Sequence, residues 1–346
     1  MSLSVLVTGA AGFIGSHVAA SLADAGWSVV GCDRSERTAA DALLARLRHD
    51  RVGHFLVPRG VPFELVDLAD GAEVAALFAR HRFDRVIHLA AQAGVRYSAE
   101  NPQAFVQSNL VAFGHVLEAC RHAGVEHLVY ASSSSVYGAR DEVPFREDDR
   151  TDAPTSLYAA TKRANELMAH AYAHLHGLPC TALRFFTVYG PWGRPDMAYF
   201  EFAQRIRRGE PITVYGRGEL RRDFTYVADV VEGVRRIAAS PCAGLGRPAP
   251  HAVFNIGHHE PVEVREFVRL LEAALGREAI VRHAPVNRGD VPVTCADVTR
   301  LREQIGFAPT TSLADGLVSF ARWLEAWDPL PARGAAELSS PSSPLG

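Results

Sequence analysis

The segment Val5-Leu6-Val7-Thr8-Gly9-Ala10-Ala11-Gly12-Phe13-Ile14-Gly15 constrains this chain most, because its glycines stand between a short apolar run and a stretch of helical spacing. Each glycine answers a separate steric demand. Gly9 permits a sharp turn where a strand ends, Gly12 lets the backbone approach a pyrophosphate, and Gly15 lets the helix lie close to the strand. The helix start, with Phe13 and Ile14 in its first turn, offers free N–H groups and a positive dipole end to phosphate oxygens. The spacing is G-x-x-G-x-x-G rather than G-x-G-x-x-G, and glycines alone serve any tight turn. The reading therefore rests on the apolar run before them and the helical spacing after.

The same alternation continues through the first half. Residues 3–8, 28–33, 85–89, 127–131 and 181–186 read as buried parallel strands, and 14–25, 70–81, 105–123 and 158–176 carry helical spacing. Residues 35–49 read as an extra helix, followed by a loop to residue 60, with no signature. Strands alternating with helices predict an α/β protein with a Rossmann-type doubly wound parallel sheet. At 346 residues the chain exceeds what one core usually organises. The loop Gly190-Pro191-Trp192-Gly193-Arg194-Pro195 marks a change of texture to short helices and strands in mixed order. We therefore expect a cofactor domain over 1–190 and a smaller mixed α/β substrate lobe over 191–328, with exchange of segments between them allowed. Residues 329–346, dominated by Pro, Ser, Ala and Gly, are expected to be a disordered tail.

Further cofactor contacts follow from strand ends. Asp33 closes the second strand, where a carboxylate accepts hydrogen bonds from the adenosine ribose and repels a 2′-phosphate, which favours NAD over NADP. Arg34 and Arg37 stand nearby and pull the other way. Asp67-Leu68 follows the third strand within reach of the adenine. Leu89-Ala90-Ala91-Gln92 ends the fourth with small residues that leave a flat floor beside the dinucleotide.

Tyr158 and Lys162 are one helical turn apart, so their side chains leave the same face. The run Ser132-Ser133-Ser134-Ser135 follows the fifth strand, at the edge of the sheet where cofactor chemistry belongs. A hydride leaves a carbinol carbon only if the hydroxyl proton leaves too. A phenol, with a pKa of about 10, is a poor base at neutral pH unless an ammonium and a nicotinamide cation lower it. A serine hydroxyl can hold the substrate oxygen meanwhile.

At these residues the chain resembles the extended short-chain dehydrogenase/reductases, and among them most closely the UDP-glucuronate 4-epimerases. The resemblance is carried by Ala90-Ala91-Gln92-Ala93-Gly94-Val95-Arg96-Tyr97-Ser98, by Tyr130 through Gly138, by Ser156 through Lys162, by Arg184 through Met197, and by Arg221-Arg222-Asp223-Phe224-Thr225-Tyr226. It implies that Tyr158 is the general base and that Lys162 lowers its pKa and holds the nicotinamide ribose. Ser133 would be the hydroxyl partner, with Ser134 or Ser135 sharing that role or binding the sugar. Asn109 and Val188 would join the cofactor contacts. The implied reaction oxidises the sugar at C4, turns the bound 4-keto sugar over, and reduces it from the other face, so NAD is reduced only transiently.

Departures separate sister activities. The 4,6-dehydratases that this chain resembles place an Asp-Glu pair before Val-Tyr-Gly, and the decarboxylases a Glu, where this chain has Ser134 and Ser135. Thr187 replaces an asparagine of the resembling galactose epimerases and offers a hydroxyl. Arg96 and Arg194 are candidates for the sugar carboxylate. Arg222 and Arg288 are expected to clamp the UDP diphosphate, although relatives carry the second arginine where this chain has Asn287. Asp290 would hold a ribose or brace that loop. A UDP-glucose or UDP-N-acetylglucosamine 4-epimerase, a UDP-glucuronate decarboxylase and a non-catalytic NAD sensor remain the alternatives.

Bulk properties exclude other classes. A net charge of −3 offers no global field for nucleic acid or an anionic membrane. No apolar run reaches the roughly 20 residues that cross a bilayer. Scattered cysteines (Cys32, Cys120, Cys180, Cys242, Cys295) and histidines lack metal-ligand spacing, so no metal is expected and a reduced, cytoplasmic protein is. A second apolar side on two helices, from Leu110, Phe113 and Leu117 on one and Leu167, Met168 and Ala171 on the other, suggests a homodimer.

Overall fold

The computed structural model describes residues 2–34, 42–242, 248–286 and 291–328. The expectations for Arg37, Arg288, Asp290 and the tail lie outside the described residues.

The chain builds β1 (Ser4–Thr8), α1 (Phe13–Asp24), β2 (Ser28–Asp33), α2 (Ala42–Arg51), β3 (Phe63–Leu65), α3 (Gly71–Arg80), β4 (Arg85–His88), α4 (Val95–Glu100), α5 (Pro102–Phe105), α6 (Ala112–Ala123), β5 (His127–Ser133), α7 (Leu157–His176) and β6 (Cys180–Phe185). After the short β7 (Thr187–Tyr189) come α8 (Ala198–Arg208), β8 (Pro211–Tyr215), β9 (Arg221–Arg222), β10 (Phe224–Tyr226), α9 (Val227–Ala239) and β11 (His251–Ile256). The chain continues with β12 (Val262–Glu263), α10 (Val264–Leu275), β13 (Ile280–Ala284), α11 (Thr299–Ile305) and α12 (Leu313–Trp327).

Seven strands form one parallel sheet in the order β11-β6-β5-β4-β1-β2-β3. This is the doubly wound α/β architecture that the alternation predicts. Strand β1 shows why. Val5 and Val7 face one side, in a core with α1 and α9, while Leu6 faces the other, among residues of α3, α6 and α7. A strand buried on both faces has to be apolar throughout. Strand order reverses between β1 and β4, so a crevice opens beyond their carboxyl ends.

A second core gathers Phe200, Phe202 and Ile206 of α8, Phe267 and Leu271 of α10, and Leu317, Phe320 and Leu324 of α12. The two bodies interleave in sequence: α9 and β11 lie beyond residue 190 yet pack on α1 and pair with β6. Conversely Leu47 of α2 enters the second core.

Two expectations are corrected. Residues 52–59 are not a loop, because a π-helical turn (Val52–Leu56) and a 3-10 turn (Val57–Arg59) extend α2. These turns bury Leu56 in the core with α1, and Gly60, at φ 62°, ends them in the left-handed region. Phe113 and Leu117 form no outward apolar side, since both are fully buried against the sheet. On α7, Leu167 and Ala171 are exposed. Among the described residues no helix is long and apolar enough to cross a membrane.

Candidate active site

The glycine turn is enclosed by backbone. A Cβ on Gly9 would stand 2.7 Å from the Ala90 nitrogen, one on Gly12 2.8 Å from the Gly9 carbonyl oxygen, and one on Gly15 2.1 Å from that oxygen. None of these neighbours is a flexible side-chain end, so only glycine fits. No side chain caps α1, which leaves its first turn (Phe13, Ile14) able to receive an anion.

Asp33 sits at the end of β2 and accepts from the N–H groups of Ala11 (3.2 Å) and Arg34 (2.9 Å). Its ion-pair partner is Arg48 of α2, 2.5 Å away. Burial pushes the Asp33 carboxyl up, and Arg48 with the two N–H groups pulls it down. Arg34, expected to weigh on cofactor choice, instead donates its guanidinium to Gln92 Oε1 at 3.2 Å. Asp67 stands exposed, accepting from Ala69 N at 2.9 Å, while the neighbouring Leu68 is buried and its carbonyl accepts from His115 Nδ1 at 3.1 Å. Leu89 continues β4 through a hydrogen bond from its N–H to Thr8, and Ala90 N donates to Thr8 Oγ1 at 3.2 Å. The Ala91–Gln92 stretch is held by Asn109. Its Oδ1 accepts from Gln92 N (2.8 Å), and its Nδ2 donates to Gln92 O and Thr161 Oγ1, both at 3.0 Å. Asn109 lies in a π-helical turn (Val106–Val111) between α5 and α6, and its own carbonyl accepts from Asn165 Nδ2 at 2.7 Å. A π turn widens the helix at one point and so re-aims a side chain and a carbonyl.

Ser156 caps α7 by accepting from Ala159 N at 3.1 Å, and this start sets Tyr158 and Lys162 on one face. Lys162 Nζ donates to Ala131 O at 2.9 Å. Burial lowers its pKa to about 8. The neighbouring His88 is held near 3, by burial first and then by the Lys162 charge. Strand β5 ends at Ser133, whose hydroxyl oxygen accepts from Ser135 N (3.2 Å) and Ser135 Oγ (3.0 Å) and stands beside the Tyr158 phenol. Ser134 opens the 3-10 turn Ser134–Tyr137. Burial raises the Tyr158 pKa, while Ser133 and the Arg194 charge pull it down. To act as a base near neutral pH, the phenol would need positive charge beside it.

Arg194 supplies some of that charge. Its guanidinium is paired with Asp196 at 2.5 Å and reaches the Ala93 carbonyl at 3.5 Å. Thr187 lies in β7, beside β10, with its N–H on Asp223 O at 3.1 Å, and Val188 is buried next to it. Arg222 is in β9, its guanidinium donating to the carbonyls of Arg221 (2.9 Å) and Pro292 (3.4 Å). Arg96 belongs to α4, and its side chain is outside the described residues. Ser133, Ser135, Tyr158 and Arg194 are thereby brought together, with Lys162 one turn away.

Sequence reasoning missed a buried cluster beside these groups. Glu166 accepts from Ser132 Oγ (2.6 Å), from Arg184 Nε (2.8 Å) and Nη2 (2.9 Å), and from Arg163 Nη1 (2.8 Å). Burial would raise its carboxyl, but Arg184 and the other donors together hold it below the ordinary range. Arg184 also donates to Tyr137 Oη and Glu147 O, each at 3.0 Å. The available signal was a lone arginine inside the otherwise apolar β6, together with a glutamate one turn beyond Lys162.

The model of the NAD dependent epimerase/dehydratase family matches residues 5–257. The chain belongs to this family. A probable UDP-glucuronate 4-epimerase of Rhizobium meliloti (strain 1021) is 45% identical over 334 residues, spanning 92% of this chain and 96% of that protein. UDP-glucuronate 4-epimerase 1 of Arabidopsis thaliana is 47% identical over 332 residues, spanning 93% of this chain and 76% of the plant protein. The crystal structure of UDP-glucuronic acid 4-epimerase from Bacillus cereus, in complex with UDP-glucuronic acid and NAD, superposes with a TM-score of 0.84 at 31% identity. That match covers 94% of this chain and 100% of the Bacillus chain. Family membership and fold class both agree with the resemblance carried by the motifs.

Proposed function

We infer that this protein is an NAD-dependent UDP-glucuronate 4-epimerase, interconverting UDP-glucuronate and UDP-galacturonate. The observation that carries the reading is the neighbourhood of Tyr158, a half-buried phenol with the Ser133 hydroxyl and the Arg194 cation beside it. The relatives' names point the same way.

NAD fits the residues present. The enclosed glycine turn and the uncapped start of α1 would hold its diphosphate, and Asp33 its adenosine ribose. When bound, the nicotinamide supplies a reversible hydride acceptor. Ser133 holds the sugar hydroxyl at C4, and Tyr158 takes its proton and later returns it. Lys162 contributes positive charge beside them and binds the nicotinamide ribose. Arg194 faces the sugar carboxylate, already shared with Asp196, so the pair is strong enough to orient the acid without neutralising it fully. The positions that would carry the acids of an elimination or decarboxylation hold Ser134 and Ser135, and Ser135 is committed to Ser133. Thr187, Arg96, Arg222, Arg288 and Asp290 are assigned to the sugar, the diphosphate and the uridine side.

Exposed Leu167 and Ala171 on α7 support a homodimer formed through this helix. Free cysteines at Cys32, Cys120, Cys180, Cys242 and Cys295 suit a cytoplasmic protein.

Incubation with UDP-glucuronate and no added reductant, followed by proton NMR, tests the reading. It predicts a growing UDP-galacturonate signal and no net NADH. UDP-xylose or a 4-keto pentose would mean decarboxylation, and turnover of UDP-glucose alone would remove the role given to Arg194.

A further inference from the structure

Arg51, the last residue of α2, is the largest fully buried side chain in the molecule among the described residues, at 1% exposure. Its guanidinium donates from Nε to Trp192 O (2.9 Å), from Nη2 to Gly193 O (2.7 Å) and from Nη1 to Ala11 O (3.2 Å). These carbonyls come from two loops. Ala11 belongs to the glycine turn, while Trp192 and Gly193 lead directly into Arg194. Among the described residues no carboxylate stands within ion-pair distance of Arg51. Burial lowers its pKa to about 10; Arg194 and Arg48 press in the same direction, while Tyr199 and Asp33 pull against it.

The loop it holds is conformationally demanding. Trp192 has φ 61°, a left-handed conformation that a bulky side chain adopts only when its surroundings impose it. The His54 and Phe55 rings, from the turn after α2, lie 4.8 and 5.7 Å from the Trp192 ring. A Cβ on Gly193 would stand 1.6 Å from Tyr199 Oη. The other side of α2 is anchored in the substrate lobe by Leu47 and by Asp50, which accepts from Trp327 Nε1 at 2.9 Å. One short helix thus touches the dinucleotide turn, the loop carrying Arg194 and the C-terminal helix.

A buried guanidinium without a counter-ion is unfavourable. It is tolerated at a site where a ligand brings the missing negative charge. We propose that Arg51 is a positioning residue for both ligands: it ties the dinucleotide turn to the Trp192–Gly193 loop, with the cofactor diphosphate as its counter-charge, so that cofactor occupancy sets where Arg194 stands for the sugar carboxylate. This rests on the epimerase reading for the identity of the sugar, and on the glycine turn for the cofactor. Its consequence is reciprocal coupling, in which each ligand tightens the binding of the other.

The test uses the full chain stripped of nucleotide, as wild type, Arg51→Met and Arg51→Lys, with calorimetric titration of NAD⁺ and of UDP-glucuronate with and without NAD⁺. Loss of the charge-assisted contacts should weaken NAD⁺ binding about tenfold in Arg51→Met. The wild type should bind UDP-glucuronate several-fold more tightly when NAD⁺ is present, roughly the low end of ordinary coupling. In Arg51→Met that ratio should fall to one, and KM should rise more than kcat falls. Arg51→Lys, keeping the charge but not the three-way fork, should lie between. A wild-type ratio of one overturns the proposal. So does a folded Arg51→Met with unchanged NAD⁺ affinity and an unchanged ratio, since a purely structural cation would alter only the melting temperature. If Arg51→Met does not melt cooperatively, Arg51→Lys decides on the same readouts. A wild type that binds both ligands but forms no UDP-galacturonate sinks the epimerase reading and leaves the Arg51 result standing.

Discussion

Lys162 and Glu166 stand one turn apart on α7, both buried and both charged, and their surroundings differ completely. Among the described residues Lys162 donates to the Ala131 carbonyl alone, and burial drags its pKa to about 8. Glu166 is saturated by Ser132, Arg163 and both arms of Arg184, which keep its carboxyl ionised. A paired buried charge acts as a rivet, strongly disruptive to break and chemically inert. An underpaired one has potential left over for a ligand and for neighbouring protons. Under the proposed function the same helix carries a reactive end at Tyr158–Lys162 and a structural clamp immediately behind it. The clamp fixes Ser132, the residue before Ser133, to the helix that bears Tyr158.

Substitutions at the two ends should separate these roles. Tyr158→Phe removes the proton acceptor and should cut kcat about 10²–10⁴-fold, with no loss of stability. Turnover close to wild type in the NMR assay would break the assignment of the reactive end. Glu166→Gln should do the reverse. It leaves Arg184 buried without its counter-ion and should lower unfolding stability by about 3–5 kcal/mol in urea melts. At a temperature where the variant is folded, activity should fall far less than in Tyr158→Phe. If kcat collapses while the melt is unchanged, the clamp is not structural.

Lys162→Met sharpens the contrast through pH. The folded pKa of Lys162, about 8, lies below its ordinary value of 10.5. The folded state therefore disfavours the ammonium, a penalty that is full below pH 8 and fades as pH rises from 8 towards 10.5. The gap corresponds to about 3 kcal/mol at most. The NAD-free variant should accordingly be more stable than wild type at pH 7, with its advantage shrinking by pH 10, while its activity is largely lost. An advantage that does not move with pH would mean that the ammonium carries no such strain. The smallest effect is expected from Ser135→Ala, which deletes one neutral hydrogen bond to Ser133, worth about 1 kcal/mol, and should lower kcat several-fold. No change in kcat would place Ser135 outside the working hydroxyl chain.

Much of this was legible in the sequence because it is local. The glycine turn, Asp33 at a strand end and the Tyr158/Lys162 pair each follow from a strand meeting a helix, or from side chains one helical turn apart, and short-range periodicity reports both. The seventh strand is a different case. Nothing in residues 251–256 indicates that they return to pair with β6 across the intervening helices and short strands. The apolar side ascribed to α6 failed for a related reason, since periodicity shows that Phe113 and Leu117 share a face and not what that face meets.

The amino-acid sequence by itself indicated the alternation of strands and helices, the glycine turn and the shared face of Tyr158 and Lys162, because each is read from residues close together along the chain. The tertiary structure alone decided what each buried charge meets. Arg48 rather than Arg34 reached Asp33, Arg184 reached Glu166, and Arg51 reached two loops, one at Ala11 and one more than a hundred residues downstream. A guanidinium at the end of a long side chain finds its partner by the packing of whole elements, and no spacing rule along the chain encodes that distance.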